Sequence, residues 1–191
     1  GKTSLALSLA RLLAQKDLKV ILVDADLRRS AIESRLGLKD RGKGLTDFML
    51  EHDADPMNFL VQDPRSNLLI MPPGTAKFVN ATDIFSSQRM DKFTEILREK
   101  ADFVIFDSPP VMAVADARLI GRVVDKTLFV IRWNKTPVKV VKAALKILRG
   151  SGTEIAGVVL QHVDLKRYGQ LGYGDSGYYY HYGRYGQYHE D

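Results

Sequence analysis

The chain has 191 residues, of which 45% are hydrophobic and 27% charged, a composition typical of one folded domain and not of a disordered chain. No apolar run approaches the roughly 18–20 residues that span a bilayer, and the lack of cysteine excludes a disulfide framework and a thiolate metal site. The formal net charge of +5 favours an anionic partner, which leaves nucleotides, nucleic acids and anionic membranes open.

Short apolar strands alternate with helices along the chain. The first helix follows Gly1, and the spacing of its leucines predicts a buried face made of Leu5, Leu9, Leu12 and Leu13. Buried strands are predicted at 19–23, 68–71, 103–106, 128–131 and 157–160, and further helices at 45–50, 89–100 and 138–149. This alternation predicts a doubly wound α/β domain, in which a mostly parallel sheet has helices on both faces.

Three polar residues directly follow predicted strands. They are Asp24, Asp107 and Gln161, and each ends a short apolar run. In a doubly wound fold the ligand binds at the carboxyl ends of the parallel strands. We therefore expect these three side chains to lie at one edge of the sheet, facing the ligand.

The aromatic residues divide the chain into two regions. All eight tyrosines lie between Tyr168 and Tyr188, whereas all eight phenylalanines lie between Phe48 and Phe129. From Tyr168 onward only Leu171 is aliphatic, so this segment buries too little apolar surface to offset the entropy of ordering it. The sequence therefore predicts a folded domain over 1–164 and a flexible tyrosine-rich tail over 165–191.

The chain opens on residues typical of a phosphate-binding loop. Gly1, Lys2 and Thr3 at a helix start match the second half of the pattern G-x-x-x-x-G-K-[ST]. Glycine lets the backbone approach a phosphate, the lysine reaches the outer phosphate oxygens, and the threonine hydroxyl is a ligand for Mg²⁺. Free N–H groups at the helix start, including that of Ser4, complete the anion site. An ordinary helix start would show the same residues, so the motif needs support from elsewhere.

Three carboxylates supply that support. Asp24 and Asp26 come just past one predicted strand, and Asp107 comes just past another. A carboxylate in this position is often no more than a cap at the end of a strand. Mg²⁺, however, prefers oxygen ligands and keeps several waters, so carboxylates at the ends of strands hold it directly or through water. Together with the opening motif, the three predict a site for a nucleotide with Mg²⁺.

At these residues the chain resembles the bacterial tyrosine kinases associated with capsule and exopolysaccharide production, a family of P-loop ATPases. The likeness is carried by the opening Gly-Lys-Thr, the Asp-x-Asp-x-Arg motif within 23–29, the Walker B segment 106–111 with Asp116, and the terminal tyrosines. The resemblance implies a P-loop fold, ATP and Mg²⁺ as cofactors, and transfer of a phosphoryl group to tyrosine.

The resemblance also implies a role for each site residue. Lys2 would contact the phosphates, and Thr3 and Asp26 would lie on or near Mg²⁺. Asp107 would bind the metal through water. Asp24 would orient or deprotonate the incoming tyrosine hydroxyl.

Two further residues carry expectations of their own. Arg28 either stabilises negative charge that develops during transfer or forms a salt bridge with a nearby carboxylate. Gln161 stands where many relatives place an asparagine near the adenine, so either its longer side chain contacts the base or that contact comes from another residue.

The terminal tyrosines are the expected phosphate acceptors. The family phosphorylates itself between neighbouring subunits of a ring, which makes the chain a homo-oligomer by resemblance. The expected acceptors are Tyr168, Tyr173, Tyr178, Tyr179, Tyr180, Tyr182, Tyr185 and Tyr188. Further implied partners are a membrane-anchored chain-length regulator, fused upstream or separate, and a tyrosine phosphatase. The implied location is the cytoplasmic face of the bacterial inner membrane, with this segment itself soluble.

The resemblance places a first glycine of the phosphate loop, and a central strand, before Gly1. We therefore expect residues 1–191 to be a fragment of a longer protein and to bind ATP poorly as they stand. Two other functions stay open: a partitioning or division-site ATPase of the same superfamily, and a non-catalytic, nucleotide-gated assembly subunit of polysaccharide export. Nucleic acid is not an expected partner, because the basic excess is small and no recognition helix is visible.

Overall fold

The computed structural model describes residues 1–37, 42–76 and 80–170. The strands are β1 (Val20–Asp24), β2 (Val61–Gln62), β3 (Leu69–Met71), β4 (Phe103–Asp107), β5 (Thr127–Arg132) and β6 (Ile155–Gln161). The helices are α1 (Lys2–Ala14), α2 (Ile32–Leu36), α3 (Leu45–Leu50), α4 (Ala81–Phe85), α5 (Gln88–Lys100), α6 (Asp116–Val123), α7 (Val138–Gly150) and α8 (Leu165–Gln170), with a 3-10 helix at Pro56–Phe59. Strands and helices alternate as the sequence predicts.

The strands form two groups. Four of them make one sheet in the order β2-β3-β1-β4, in which β1 pairs in parallel with β3 and β4, and β2 pairs antiparallel with β3. β5 and β6 form a separate parallel pair. The mostly parallel α/β architecture is confirmed, but in the described residues the sheet is divided between β4 and β5.

The central strand β1 is buried along its whole length, because helices cover both faces of the four-stranded sheet. On one face α1 packs over Leu22 of β1 and Ile70 of β3. On the other face α5 packs its Phe93 and Leu97 against Val23. These two layers hold the carboxyl edge of the sheet, where Asp24 ends β1, in a fixed position.

The buried face of α1 differs from the prediction. The helix buries Leu7, Ala10 and Ala14, whereas Leu12, predicted to be buried, is 53% exposed. Leu5, Leu9 and Leu13 are only half-buried. The small alanine side chains let the helix lie close to the sheet. The face of α1 that packs in the core is therefore the one with smaller apolar side chains than the predicted leucine face.

Several side chains of β4, β5 and β6 are less buried than predicted. Leu128 on β5 and Val158 and Leu160 on β6 are each about half exposed. Phe103, at the start of β4, is 47% exposed. These side chains lie on strands that have a neighbour on one side only among the described residues, so fewer atoms cover them.

Residues 165–170, which we assigned to the tail, form the short helix α8. Its Tyr168 lies edge-on to Trp133, with the ring centroids 6.4 Å apart. The remaining residues of the predicted tail, 171–191, lie outside the described residues. Within the described part of the chain, no helix is both long and apolar enough to cross a bilayer.

A part-buried ion pair joins α1 to the hairpin between β2 and β3. The guanidinium of Arg11 donates to Asp63 through Nη2 at 2.6 Å and Nε at 3.0 Å, and the Ser66 hydroxyl donates to the same carboxylate. The Asp63 side chain is fully shielded from solvent. Burial alone would raise the pKa of Asp63, but these hydrogen bonds outweigh it and hold the pKa below its usual range.

We expect Arg11→Met to lower the free energy of unfolding by about 3 kcal/mol, because it leaves the Asp63 carboxylate buried without its cation. Chemical denaturation of both proteins measures the loss. The matched control is Arg98→Met, which breaks the pair between Arg98 and Asp125, whose side chains are 48% and 80% exposed. That change should cost less than about 1 kcal/mol. Equal losses in the two variants would contradict a structural role for the Arg11 pair.

Candidate functional site

Two of the three predicted carboxylates lie side by side. Asp24 ends β1 and Asp107 ends β4, and the two residues are direct neighbours in the parallel register. The N–H of Ala25 donates to the carbonyl of Asp107 at 3.0 Å, which extends the pairing one residue past β1. Both aspartates are buried. The site therefore begins with two acidic groups held at one point of the sheet edge.

The residues of the opening motif lie at the start of α1, next to this acidic pair. The Thr3 hydroxyl donates a hydrogen bond to the Asp107 carboxylate, and the Lys2 ammonium lies close enough to act on its charge. Burial raises the pKa of Asp107, and the negative charge of Asp26 raises it further. The hydrogen bond from Thr3 and the positive charge of Lys2 lower this pKa, but the net shift is upward. Lys2, Thr3, Asp26 and Asp107 thus converge, as the sequence predicts.

Asp24 is the most perturbed acid of the site. Its pKa is raised to about 6, first because the carboxyl group is buried and further because Asp107 is close. Three donors oppose the shift: the Ser30 hydroxyl at 2.7 Å, the N–H of Asp26 at 3.3 Å and the backbone N–H of Ile32. A carboxyl group with this pKa is mostly ionised at neutral pH and can still accept a proton, which suits a general base.

The loop after β1 is held by its own side chains. Besides the contacts to Asp24, the Asp26 carboxylate accepts from the N–H of Arg29 at 3.0 Å. The Asp-x-Asp spacing therefore turns one carboxylate inward and leaves the other half-buried at the mouth of the site.

Arg28 forms a salt bridge, the second of its two expected roles. Its Nε lies 2.9 Å from Oδ2 of Asp116, the first residue of α6. Asp116 is buried, and its other oxygen accepts from the Thr82 hydroxyl of α4 at 3.1 Å. The Arg28 side chain is nevertheless 49% exposed, so the salt bridge fixes its position without removing it from solvent.

Gln161, the last residue of β6, lies beside Gly1. A Cβ atom on Gly1 would come within 2.8 Å of the Gln161 side-chain oxygen, so only glycine fits without a shift. Both residues line a cavity of about 430 Å³ that extends along β5 to Leu128 and to Val141 of α7. Its size and largely apolar lining are typical of a small-molecule site, and Lys2 is among the residues that line it. A nucleotide base is the kind of group that such a cavity accepts.

The donor set fits Mg²⁺ bound together with a nucleotide. In the described residues, no three His, Cys, Asp or Glu side chains form a ready-made metal site. Mg²⁺ needs no such cage, since it is usually held by one or two carboxylates, several waters and the substrate phosphates. Asp107, Asp26 and the hydroxyl of Thr3 provide oxygens of this kind next to Lys2.

Sequence reasoning did not identify Ser30 or Thr82, which hold the site carboxylates Asp24 and Asp116. Ser30 follows Asp24 by six residues within the same loop, so a search for hydroxyl donors near the acidic motif would have found it. Thr82 gives no such signal, because it is 34 residues from Asp116. Among the eight predicted acceptors Tyr168 is described, and the other seven lie outside the described residues.

A family model described as "AAA domain" matches residues 1–140 of the chain. Tyrosine-protein kinase YwqD of Bacillus subtilis (strain 168) is 31% identical over 173 residues, which are 91% of this chain and 72% of the relative. Succinoglycan biosynthesis transport protein ExoP of Rhizobium meliloti (strain 1021) is 28% identical over 99% of this chain. The chain spans only 24% of the length of ExoP.

Two solved structures are similar to this chain in fold. The kinase domain of VpsO superposes with a TM-score of 0.76 at 30% identity, covering 83% of this chain and 77% of that one. The septum site-determining protein MinD of Pyrococcus horikoshii OT3, complexed with Mg-ADP, gives a TM-score of 0.67 at 21% identity, covering 84% and 64%. At that identity the MinD likeness shows a shared fold alone.

We expect Ser30→Ala to raise the pKa of Asp24 above its value of about 6, because the variant loses the strongest hydrogen bond to the ionised carboxylate. Carboxyl ¹³C shifts followed by NMR through a pH titration measure the change. Ser34→Ala is the control, since the Ser34 hydroxyl donates to the carbonyl of Ala31 and not to an acid. An unchanged Asp24 midpoint in Ser30→Ala would mean that this hydrogen bond does not tune the site.

Proposed function

The chain belongs to the family of bacterial tyrosine-protein kinases, and from this premise we propose that it transfers the γ-phosphoryl group of ATP to tyrosine side chains. The observation that carries the proposal is the convergence of the opening lysine and threonine with the carboxylates at the ends of β1 and β4. A lysine beside buried acids at the start of a helix suits a magnesium triphosphate better than a neutral ligand.

The proposed reaction needs little chemistry from the protein beyond placement of the reactants. The tyrosine oxygen attacks the γ-phosphorus, the bond to the β–γ bridging oxygen breaks, and ADP leaves with that oxygen. The phenol proton passes to Asp24. Because phosphoryl transfer has a loose transition state, charge neutralisation by Lys2 and alignment of the two substrates contribute more than removal of the proton.

Mg²⁺, when bound with the nucleotide, neutralises negative charge on the phosphate oxygens, and Thr3, Asp26 and Asp107 are the residues that would hold it. Gly1, Lys2, Thr3 and Ser4 would bind the phosphates through the start of α1. Gln161 would contact the base from the other side of the cavity. Arg28 already pairs with Asp116, so we assign it to holding the acidic loop in place.

The acceptors in this proposal are the tyrosines of the C-terminal segment, presented by one subunit to the site of the next. The sequence supports this, since every tyrosine of the chain lies from position 168 onward. Tyr168 is poorly placed to act as an acceptor, because its ring already packs against Trp133. We also propose assembly into a homo-oligomeric ring and reversal of the modification by a tyrosine phosphatase.

The proposed setting is polysaccharide export at the cytoplasmic face of the bacterial inner membrane, with a membrane-anchored chain-length regulator as partner. The similarity to ExoP, a succinoglycan biosynthesis transport protein, supports this setting. In this setting, phosphorylation of the tails would regulate polymerisation and export, because each phosphate adds about −1.5 to −2 charges and so increases repulsion between subunits.

We expect protein that carries a complete phosphate loop to place alkali-stable label from [γ-³²P]ATP on its C-terminal segment. Asp24→Asn should reduce the rate by about 10²–10³-fold, because the variant cannot accept the proton. Asp125→Asn is the matched control, since Asp125 is an exposed acid that pairs with Arg98 outside the site. Free phosphate with an unlabelled segment would instead favour a positioning ATPase or a nucleotide-gated assembly subunit.

The pH dependence of the same reaction follows from the pKa of Asp24. A base acts only when ionised, so kcat/KM should fall as the pH drops through about 6, the pKa in the free protein. In Ser30→Ala, where we expect a higher pKa, the fall should begin at higher pH. A profile that stays flat between pH 5 and 8 would contradict the role of Asp24 as the base.

A further inference from the structure

The basic side chains of two neighbouring helices carry the charge excess of the whole chain. On α6 they are Arg118 and Arg122, and on α7 they are Lys139, Lys142, Lys146 and Arg149. The two helices hold six cations and one carboxylate, the buried Asp116, an excess of five that equals the chain's formal net charge of +5. The remainder of the chain is therefore neutral on balance.

The cations of α7 lie along one side of the helix. Their spacing of i, i+3, i+7 and i+10 keeps them in one stripe about 15 Å long, opposite the buried Ala144 and Leu148. All four are exposed. The stripe is therefore the outer surface of α7 and takes no part in the core.

The basic residues of α6 lie on a helix that packs beside α7. Gly121 brings the two elements together, because a Cβ atom there would come within 2.4 Å of the hydroxyl of Thr153, just past the end of α7. Arg118 and Arg122 are exposed one turn apart on α6. We name the six cations of α6 and α7 the basic face.

The part of the chain that the structure describes gives this face no acidic partner. Within residues 1–37, 42–76 and 80–170, none of the six cations pairs with a carboxylate. The nearest exposed acids in sequence are already paired, Asp125 with Arg98 and Glu154 with Lys126. Six like charges at one surface repel each other, and an anionic partner would relieve that repulsion.

We infer that the basic face is a docking surface for an anionic phospholipid bilayer. Clusters of four to eight Lys and Arg on an amphipathic helix bind acidic lipid headgroups through summed, non-directional attraction. An exposed apolar side chain, Val138 at 69% exposure, begins α7 next to Lys139 and can enter the interfacial layer. The inference deepens the membrane location of the proposed function and adds a direct contact of the chain with lipid.

A bilayer fits this face better than nucleic acid does. The first residue of α6, Asp116, is buried and paired with Arg28, so the start of this helix is packed against the domain. One side of α7 is packed through Ala144 and Leu148. The cations have no aromatic side chain among them on which bases would stack. The cations are spread over two packed helices, and this distribution of charge suits the extended anionic surface of a bilayer.

The test is co-sedimentation of the protein with phosphatidylcholine vesicles that contain about one third phosphatidylglycerol, compared with pure phosphatidylcholine. We expect binding to the anionic vesicles alone, and loss of that binding as salt rises. Lys142→Glu with Lys146→Glu should weaken it at least about thirtyfold. The matched control, Lys92→Glu with Lys100→Glu on α5, alters the net charge equally and should change binding less than about twofold.

Three results would overturn the inference. The first two are no binding to anionic vesicles and an equal loss of binding in both double variants. The third is that, at the same salt concentration, the protein binds duplex DNA more tightly than vesicles and loses this DNA binding in Lys142→Glu with Lys146→Glu. If circular dichroism shows that this variant is unfolded, Lys142→Gln with Lys146→Gln replaces it, with an expected loss of about tenfold. Phosphoryl transfer without vesicles should be unchanged in the lysine variants, so the vesicle result stands apart from the proposed kinase activity.

Discussion

Two acidic side chains held next to each other and away from water set the conditions for the whole site. Asp24 and Asp107 end neighbouring strands, and each is at most 4% exposed. Burial and mutual repulsion both disfavour their charged forms. Lys2 and Thr3 offset part of this cost at Asp107, and Ser30 offsets part of it at Asp24. The negative charge that remains favours a ligand that brings a cation with it, and a nucleotide with Mg²⁺ is such a ligand.

The sequence was enough to predict five of the six described strands, all but β2, and the acidic pair, because both depend on local pattern. A short apolar run that ends at an aspartate predicts a buried strand with its carboxylate at the sheet edge, and β1 and β4 have this form. The buried face of α1 depends on packing. Ala10 and Ala14 enter the core because they are small, whereas the prediction favoured the larger leucines.

The rest of the site depends on residues that only the fold brings together. Asp116 was recognised as part of a motif, but its partner Arg28 is 88 residues away and Thr82 lies on a helix that was not predicted. The uncovered side chains of β5 and β6 could not be predicted either. Apolar runs such as 128–131 and 157–160 look alike whether a strand is central or lies at an edge.

The cavity beside the start of α1 is lined from two directions. Lys2 begins α1, which packs on the four-stranded sheet, and Gln161 ends β6. A molecule that fills this cavity contacts elements of both groups of strands. Because a ligand that binds the folded state alone stabilises that state by mass action, the free energy of unfolding depends on ligand concentration. Nucleotide supply would then govern the stability of this protein as well as its turnover.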